Sequence, residues 1–202
     1  MESNESRVVK LTLVRHGTTL WMEQGITHGR LDAPLSERGQ QEVHLTAEAL
    51  RGRSFDAFYA SPTGRAMQTA QAIAEVIQKD PTPDAGLMEY DFGEKEGTRF
   101  SGKFSRFAMI QKMAFGWWIS PWSGGESFGA MHRRLKSALT EIVRRNPGQR
   151  VLVISHHGAI NMMLQIISGQ PFTFYKIAPA MVVEVEVDDH LRGKILTKLP
   201  KA

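Results

Sequence analysis

Two short apolar runs, each ending at a histidine followed by glycine, constrain the fold of this chain more than any other feature. Residues 8–14 are mainly apolar and β-branched and stop at Arg15-His16-Gly17, and residues 151–154 stop at Ser155-His156-His157-Gly158. Runs of this length and composition predict buried strands. Because helical patterns lie between the strands, we expect right-handed crossovers, a mostly parallel sheet and both histidines at its carboxyl edge.

The segments between these strands carry helix signals. Ser36 is placed to cap a helix that ends near Gly52, and Ser61 with Pro62 predicts the N-cap and first position of another helix. Arg65 would then lie in the first turns of that second helix. A third helix is predicted from about residue 128 to the Asn-Pro-Gly stop at 146–148. Residues 55–60 predict a strand, and residues 181–187 and 194–199 alternate like edge strands.

Composition limits the class of protein. With 202 residues, 42% of them hydrophobic, the chain suits one domain over residues 1–202, and we expect a three-layer α/β/α fold. No apolar run is long enough for a membrane span, and the first residues lack the apolar core of a secretory signal, so we expect a cytoplasmic protein without a membrane partner. The net charge of +4 is scattered and assigned mostly to solvated surface, and we expect no nucleic-acid partner. The absence of cysteine excludes disulfides and thiolate chemistry.

A cluster of basic side chains at the carboxyl edge of the sheet predicts an anion site. Arg15 and His16 end one strand, His156 ends another, and Arg65 opens a helix at the same edge. Guanidinium forks and helix N-termini both suit phosphate oxygens. Gly17 and Gly158 would let the backbone approach the ligand. A packing role is the alternative for each of these side chains.

Several segments resemble one family. Residues 13–19 read Leu-Val-Arg-His-Gly-Thr-Thr, 32–39 read Asp-Ala-Pro-Leu-Ser-Glu-Arg-Gly, and 61–70 read Ser-Pro-Thr-Gly-Arg-Ala-Met-Gln-Thr-Ala. Residues 87–97 read Leu-Met-Glu-Tyr-Asp-Phe-Gly-Glu-Lys-Glu-Gly, followed by Gly-Gly-Glu-Ser at 124–127 and Val-Ile-Ser-His at 153–156. In this order the segments resemble the histidine phosphatase, or phosphoglycerate-mutase-like, superfamily. The resemblance implies that family's α/β fold, with a small helical cap formed by an insertion.

The resemblance also implies catalytic roles. It makes His16 the nucleophile, Arg15, Arg65 and His156 the clamp on the transferring phosphoryl group, and Glu89 the proton donor. A cationic cradle stabilises the charge that spreads over the phosphoryl oxygens, and a covalent intermediate divides the reaction into two steps. The proton donor is open to competition from three nearby carboxylates, Asp91, Glu94 and Glu96. The segment 124–127 is equally compatible with an ordinary turn and helix start.

Departures from the family pattern concern the substrate-binding residues. Met22 stands where an Asn that contacts phosphate is common, and it cannot donate a hydrogen bond. Thr19 or His28, which precedes Gly29, could replace that contact. Thr18 stands where Glu or Gln is frequent, and His157 stands where Gly is usual. His157 either narrows the site or is an exposed neighbour.

Residues of about 98–123 form the most individual segment. Basic side chains, among them Lys103 and Arg106, alternate there with Phe and Trp. A cap that selects part of the substrate is one interpretation. Ordinary packing or a homodimer interface is another, and a membrane-surface helix is a third.

Four functions compete at this stage. We expect a phosphomonoesterase that hydrolyses a small phosphorylated metabolite, without a cofactor or a bound metal. A phosphoglycerate mutase would return the phosphoryl group to a substrate hydroxyl, but the family's mutases carry a longer, arginine-rich insertion after the proton-donor segment. A non-catalytic protein that binds a phospho-ligand is suggested by the missing Asn. A metal-dependent hydrolase would use His16, His156, His157 and a carboxylate, but no local ligand spacing supports it.

Overall fold

In the computed structural model, which describes residues 8–99 and 124–201, six strands form one mixed sheet. They are β1 (Val9–Arg15), β2 (Ala57–Ala60), β3 (Thr82–Pro83), β4 (Arg150–Ser155), β5 (Val182–Val187) and β6 (Gly193–Ile195). Their order across the sheet is β3-β2-β4-β1-β5-β6. The first four strands run parallel, whereas β5 and β6 are antiparallel to their neighbours. The predicted mostly parallel sheet is confirmed.

Helices cover both faces of this sheet. They are α1 (Leu20–Gln24), α2 (Glu37–Ala49), α3 (Gly64–Ile77), α4 (Phe128–Arg145) and α5 (His157–Ser168). Side chains of the central strands alternate between two cores, because Leu13 and Val153 pack with α4 and α5 while Val14 and Ile154 pack with α2 and α3. The three-layer α/β fold predicted from the strand and helix patterns is therefore confirmed. In the described part of the chain, no helix has the length and apolar character needed to cross a bilayer.

Strand register brings the two histidines to the same edge. β1 and β4 pair so that Arg15 lies opposite Ser155, and the His16 backbone N–H donates to the Ser155 carbonyl at 3.0 Å. His16 and His156 are the next residues after these paired ends. The parallel pairing of two distant strands thus sets them side by side, as expected from the sequence.

The predicted start of α3 is wrong by two residues. Thr63, and not Ser61, is the N-cap, so Pro62 precedes the helix. Ser61 is still tied to the sheet, because its backbone N–H donates to the Ile154 carbonyl at 2.9 Å. The Ser36 cap of α2 is confirmed, since its hydroxyl accepts from Gly39 N–H at 3.2 Å.

The prediction of edge strands at the C-terminal end is wrong for β5. This strand lies between β1 and β6, so β6 is the edge strand. The alternation reflects the two faces instead of an edge, because Val183, Val185 and Val187 are buried and the intervening positions are only half-buried. Glu184 and Glu186, at two of these positions, pair with Arg53 and Lys194 respectively. Of the predicted cap, only Thr98 and Arg99 belong to the described residues, and Lys103 and Arg106 lie outside them.

Candidate active site

The basic residues predicted for catalysis meet at the carboxyl edge of the sheet. The rings of His16 and His156 have centroids 5.1 Å apart and meet edge to face. Arg65, in the first turn of α3, contacts both rings through its guanidinium group. All three side chains are buried. We call these three residues the cradle.

His16 presents its Nε2 atom as a free base. Its Nδ1 lies 2.8 Å from the Gly17 carbonyl oxygen, which only accepts hydrogen bonds, so the ring proton belongs on Nδ1. Nε2 therefore carries the lone pair and accepts from Arg65 Nε at 3.4 Å. Burial, together with the charges of Arg65 and Arg15, holds the pKa of the His16 imidazole well below its usual value. The ring is thus neutral and nucleophilic near neutral pH.

Gly17 has a packing role, and the predicted approach of its backbone to a ligand stays a prediction. A Cβ atom at this position would lie 2.6 Å from the carbonyl oxygen of Gly39 and 2.8 Å from a methyl carbon of Val43. The glycine therefore allows the loop after β1 to pack against the start of α2. This contact sets the position of His16 indirectly.

Arg65 is completely buried, and each nitrogen of its guanidinium group donates to a protein acceptor. Its NH1 group donates to the Leu31 carbonyl at 2.9 Å and to Asp32 Oδ1 at 3.0 Å, and its NH2 group donates to the Gly29 carbonyl. Burial lowers the pKa of this guanidinium, and the hydrogen bond that it donates to Asp32 opposes that shift. A charge so deeply buried needs such partners. Its Nε atom remains directed at the His16 Nε2 atom, where an incoming phosphoryl group would be attacked.

His156 is oriented by a residue that the sequence analysis did not select. Its Nδ1 accepts from Arg65 NH2 at 3.2 Å, so its proton lies on Nε2, which donates to the Ser61 hydroxyl at 2.8 Å. Burial, the repulsion that a protonated His16 would exert and the charge of Arg65 hold the pKa of His156 well below its usual value. Ser61 therefore acts here as an acceptor for His156 and not as a helix cap. Its position four residues before Arg65, in the motif segment 61–70, was the available signal.

Arg15 has an unused donor. Its NH1 group donates to the Ile177 carbonyl at 2.7 Å, and its NH2 group lies 3.8 Å from the sulfur of Met22. Its Nε atom is buried without a hydrogen-bond partner among the described residues. Burial lowers the pKa of Arg15, and the charge of the Glu89 carboxylate opposes the shift. An anion bound beside His16 would satisfy this donor.

Met22 leaves the site without the hydrogen-bond donor that an Asn would supply at this position. The Thr19 hydroxyl, one of the two candidate replacements, already contacts other protein groups. The Thr19 hydroxyl caps α1 by accepting from Met22 N–H at 3.1 Å and lies 3.2 Å from His28 Nε2. The His28 ring centroid is 6.0 Å from that of His16. Burial and the charge of Arg65 lower the pKa of His28 to about 4. His28 is thus the better placed of the two candidate replacements for the missing Asn.

Gly29 contacts the cradle through Arg65, and His157 follows the cradle residue His156 in the chain. The Gly29 carbonyl accepts from Arg65, and a Cβ atom at this position would collide with the Tyr90 carbonyl and the Glu96 carboxylate. Gly29 therefore holds the clamp arginine. His157 is half-buried, so it is not the exposed neighbour that the sequence allowed. Burial and the charge of Arg15 lower its pKa.

Glu89 is held at the start of α5. Its carboxylate accepts from the backbone N–H groups of Tyr90 at 2.9 Å, Gly158 at 2.9 Å and Ala159 at 3.0 Å. A helix N-terminus is a favourable place for a carboxylate. A Cβ atom on Gly158 would collide with this carboxylate. Gly158 therefore gives Glu89 room at the start of α5, and its predicted role toward the ligand stays a prediction.

The three competing carboxylates serve other contacts. Glu96 accepts from the backbone N–H groups of Arg30, Leu31 and Phe92, joining the loop after α1 to the segment after Glu89. Asp91 accepts from Gly93 N–H at 2.8 Å and pairs with Arg30. Glu94 is exposed. Glu89 is therefore the carboxylate of this group best placed to act at the cradle.

Arg134, which the sequence analysis assigned to solvated surface, supports Glu89. Its NH1 group donates to the Gly86 and Met88 carbonyls at 2.9 Å each, and its NH2 group donates to the Glu89 carbonyl at 3.2 Å. Its other partner is the carboxylate of Glu126, at 2.7 Å. The signal was its place on α4, three residues after Met131 and four before Ala138, on the buried stripe of the helix.

The segment 124–127 forms a turn and also supplies Glu126, the partner of Arg134. Ser127 caps α4 by accepting from Ala130 N–H at 3.1 Å, as the simpler interpretation proposed. Glu126 is buried and also lies 3.6 Å from Arg30. A Cβ atom on Gly125 would collide with the Asp91 carbonyl. The segment therefore starts a helix and also anchors the residues that follow Glu89.

The ring nitrogens of His16 and His156 are hydrogen-bonded to protein groups, so they are not free to act as metal ligands. Both nitrogens of His156 are hydrogen-bonded, to Arg65 and Ser61, and Nδ1 of His16 is bonded to Gly17. Among residues 8–99 and 124–201, no group of three or more His, Cys, Asp or Glu side chains has an arrangement that could hold a metal ion. The surrounding charge is positive, which favours an anion.

Comparison with known proteins agrees with this geometry. The chain is 32% identical to phosphoserine phosphatase 1 of Hydrogenobacter thermophilus over 154 residues, covering 74% of this chain and 71% of that protein. It is 30% identical over 165 residues to a probable phosphoglycerate mutase, GpmB, of Yersinia pestis, covering 81% and 77% respectively. Its fold matches that of Bacillus stearothermophilus YhfR with a TM-score of 0.82 and 24% identity, covering 94% of this chain and 96% of that one. Residues 11–196 match the family model of the histidine phosphatase superfamily (branch 1), and the chain belongs to that superfamily.

Proposed function

We propose that this protein is a metal-independent phosphomonoesterase that hydrolyses a small phosphorylated metabolite through a phosphohistidine on His16. The observation that carries the proposal is the state of His16. Its Nδ1–H is held by the Gly17 carbonyl, and its Nε2 lone pair faces a buried arginine. A neutral imidazole nitrogen beside fixed cationic donors is suited to attack phosphorus and to stabilise the charge that develops.

In the first step, the His16 Nε2 lone pair forms a bond to phosphorus as the ester P–O bond breaks. Arg65 Nε and the unpartnered Arg15 Nε are the donors available for the phosphoryl oxygens. The leaving oxygen takes a proton from the carboxyl group of Glu89 and departs as an alcohol. The positive charge of the cradle balances the negative charge of the phosphoryl group.

In the second step, a water molecule attacks the phosphohistidine. The Glu89 carboxylate accepts a proton from that water, and the P–N bond breaks to release inorganic phosphate and neutral His16. Glu89 is then protonated for the next turnover. The same carboxyl group serves both steps because the leaving oxygen and the attacking water occupy the same side of phosphorus.

Hydrolysis is favoured over transfer by the short segment between Glu89 and α4. The resemblance to the family implies that its mutases carry a longer, arginine-rich insertion there, whereas here only the aromatic stretch of about residues 98–123 intervenes. One relative is named for phosphoserine hydrolysis. The relative named as a probable mutase keeps phosphoryl transfer as the second candidate.

The deciding experiment measures phosphate release from phosphoserine, phosphoglycerates and other phosphomonoesters in excess EDTA, with His16→Ala as the matched control. We expect release by the wild type and a decrease of at least about a thousandfold in the variant. Quenching with alkaline detergent after reaction with a ³²P-labelled substrate should trap a label on His16 that is stable in base and lost in acid. Interconversion of 2- and 3-phosphoglycerate without release would indicate a mutase. Loss of activity in EDTA that zinc or magnesium restores would overturn metal independence.

A further inference from the structure

The carboxylate of Glu42, on α2, is joined to the ring of His16 through one peptide group. Thr18, which stands where Glu or Gln is frequent in the family, contacts this carboxylate twice: its backbone N–H donates to Glu42 Oε2 at 3.0 Å and its hydroxyl donates to the same atom at 2.8 Å. His16 Nδ1 donates to the Gly17 carbonyl at 2.8 Å. That carbonyl and the Thr18 N–H belong to the same peptide group. The imidazole and the carboxylate are therefore hydrogen-bonded to its two ends.

A peptide group in this position can transmit the effect of a charge. Resonance links its C=O to its N–H, and the two bonds point in opposite directions. An anion that accepts from the N–H increases the negative charge on the carbonyl oxygen, because hydrogen bonds in a chain polarise one another. The Gly17 carbonyl therefore becomes a better acceptor for the Nδ1–H group of His16. This effect requires an ionised Glu42 and a peptide group that is held in place.

Glu42 is ionised near neutral pH, and its charge reaches the site. Burial raises the pKa of its carboxyl group, but hydrogen bonds from Thr18 and Arg38 outweigh burial, and the resulting pKa is below its usual value. Arg38 donates to the other carboxylate oxygen at 2.9 Å from an exposed position, where water screens it, so it offsets only part of the charge. At Arg15, burial lowers the pKa of the guanidinium, and the charges of Glu89 and Glu42 oppose that shift.

The peptide group between Gly17 and Thr18 is held by two helices. The Thr18 carbonyl accepts from the Ser36 backbone N–H at 2.9 Å, at the start of α2. The Gly17 N–H donates to the Thr69 hydroxyl at 3.2 Å, on α3. A Cβ atom on Gly39 would collide with the Thr18 carbonyl, so α2 packs directly against this loop. These contacts fix the orientation of the peptide group.

We propose that Glu42 is a positioning residue that acts on the nucleophile His16 through the Gly17–Thr18 peptide and stabilises the phosphohistidine. This role rests on the proposed function. When His16 Nε2 bonds to phosphorus and the leaving oxygen takes its proton from Glu89, the ring keeps its Nδ1–H and becomes positively charged. A carbonyl made more negative by Glu42 stabilises that cation. Glu42 therefore speeds formation of the phosphohistidine but not its hydrolysis, which returns the ring to neutral.

The experiment compares the wild type with Glu42→Gln, which keeps the size and one acceptor oxygen and removes the charge. In a single turnover of p-nitrophenyl phosphate with excess enzyme, the time courses of nitrophenolate and phosphate give the rate constants for formation and hydrolysis of the phosphohistidine. We expect formation to slow by about fivefold to tenfold and hydrolysis to be unchanged or faster. Glu48→Gln, which removes an exposed charge from the same helix, is the matched control and should behave as the wild type.

NMR of the resting protein tests the same coupling without turnover. In protein labelled with ¹⁵N-histidine, the Nδ1–H proton of His16 should move upfield in Glu42→Gln, because its hydrogen bond to the Gly17 carbonyl is weaker. The signal should not move in Glu48→Gln. If Glu42→Gln fails to fold, Glu42→Asp, which withdraws the charge by one methylene group, takes its place and should give smaller changes in the same directions.

The outcomes separate this role from simple stabilisation of the loop. Equal slowing of formation and hydrolysis would make Glu42 a structural residue only. Unchanged rate constants, or an Nδ1–H signal that stays in place, would also overturn the proposal. No release of nitrophenolate by the wild type would count against the proposed function instead, and the NMR signal alone would then decide whether Glu42 acts on His16.

Discussion

The two halves of the candidate active site are built from different interactions. His16, Arg65 and His156 contact one another through their side chains, whereas Glu89 is held by three backbone N–H groups. Replacing one member of the cradle therefore removes a partner from the others, and the effects should not add. Replacing Glu89 leaves its backbone donors in place. We therefore expect a substitution in the cradle to disturb the other cradle residues, and a substitution of Glu89 to affect Glu89 alone.

The largest effect is expected for Arg65→Lys. One ammonium group cannot replace a planar guanidinium that reaches Gly29, Leu31, Asp32 and both histidines. We expect kcat/KM for phosphate release to fall by roughly 10³-fold and the free energy of unfolding to fall by about 3 kcal/mol. Steady-state kinetics and urea unfolding measure the two effects.

Arg51→Lys is the matched control for that substitution. Arg51 forms an exposed pair with Glu48 on the surface, so its replacement should leave the free energy of unfolding almost unchanged. Activity should be that of the wild type. Equal effects of the two substitutions would mean that burial of Arg65 contributes nothing specific, and the cradle would lose its central member.

Glu89→Gln should distinguish the proposed proton transfer by Glu89 from the contribution of the cradle. Alkyl phosphates need a proton on the leaving oxygen, whereas p-nitrophenyl phosphate has a good leaving group. We expect kcat to fall by about 10²-fold or more for phosphoserine and by less than about 10-fold for the aryl ester. Glu94→Gln, an exposed carboxylate in the same segment, is the control and should leave both rates unchanged. Equal slowing of both substrates would remove Glu89 from proton transfer.

Arg134→Met should produce a smaller version of the Glu89 effect. Arg134 holds the carbonyls of Gly86, Met88 and Glu89, so its loss would misplace the carboxyl group without touching the cradle. We expect kcat for phosphoserine to fall by about 10-fold with little change in KM, and the alkyl-to-aryl rate ratio to fall as well. Arg134→Lys should recover part of the loss, and the exposed neighbour Arg133→Met should have no effect. An unchanged rate ratio would make Arg134 a stabilising residue only.

Acid should weaken the cradle through its buried histidines. The folded-state pKa values of His16 and His156 are lowered, so between pH 7.5 and 5.5 the unfolded chain binds protons that the folded chain does not. Stability is therefore lost as pH falls through the ordinary histidine value, by about 1 kcal/mol for each residue. Urea unfolding at the two pH values measures this change. His28, His132 and His157, whose pKa values are also lowered, contribute in the same direction, so His16→Asn should reduce the change by about a third or less. An identical pH dependence in that variant would contradict the assignment.

Local sequence patterns predicted most of the fold. The two apolar runs became β1 and β4, and the Ser36 cap started α2 as expected. Two errors have a common cause. Ser61 has the chemistry of a helix cap, but its hydroxyl accepts from His156 instead. The alternation of apolar and polar residues in β5 reflects one buried face of the strand, although the strand lies inside the sheet and not at its edge. In both cases, contacts with a part of the chain that the local pattern does not include determined the structure: His156 for Ser61, and β6 for β5.

The sequence by itself determined which residues are candidates for the chemistry: the family resemblance selects His16, Arg15, Arg65, Glu89 and His156, and local patterns place all of these but Glu89 at strand ends or helix starts. Tertiary structure alone decided how they are held. The proton positions on the histidines depend on Gly17, Ser61 and Arg65, and the place of Glu89 depends on α5. Arg134 acquires its contacts in the same way, because a side chain's partners across the core are set by packing and burial, which short-range sequence patterns do not contain.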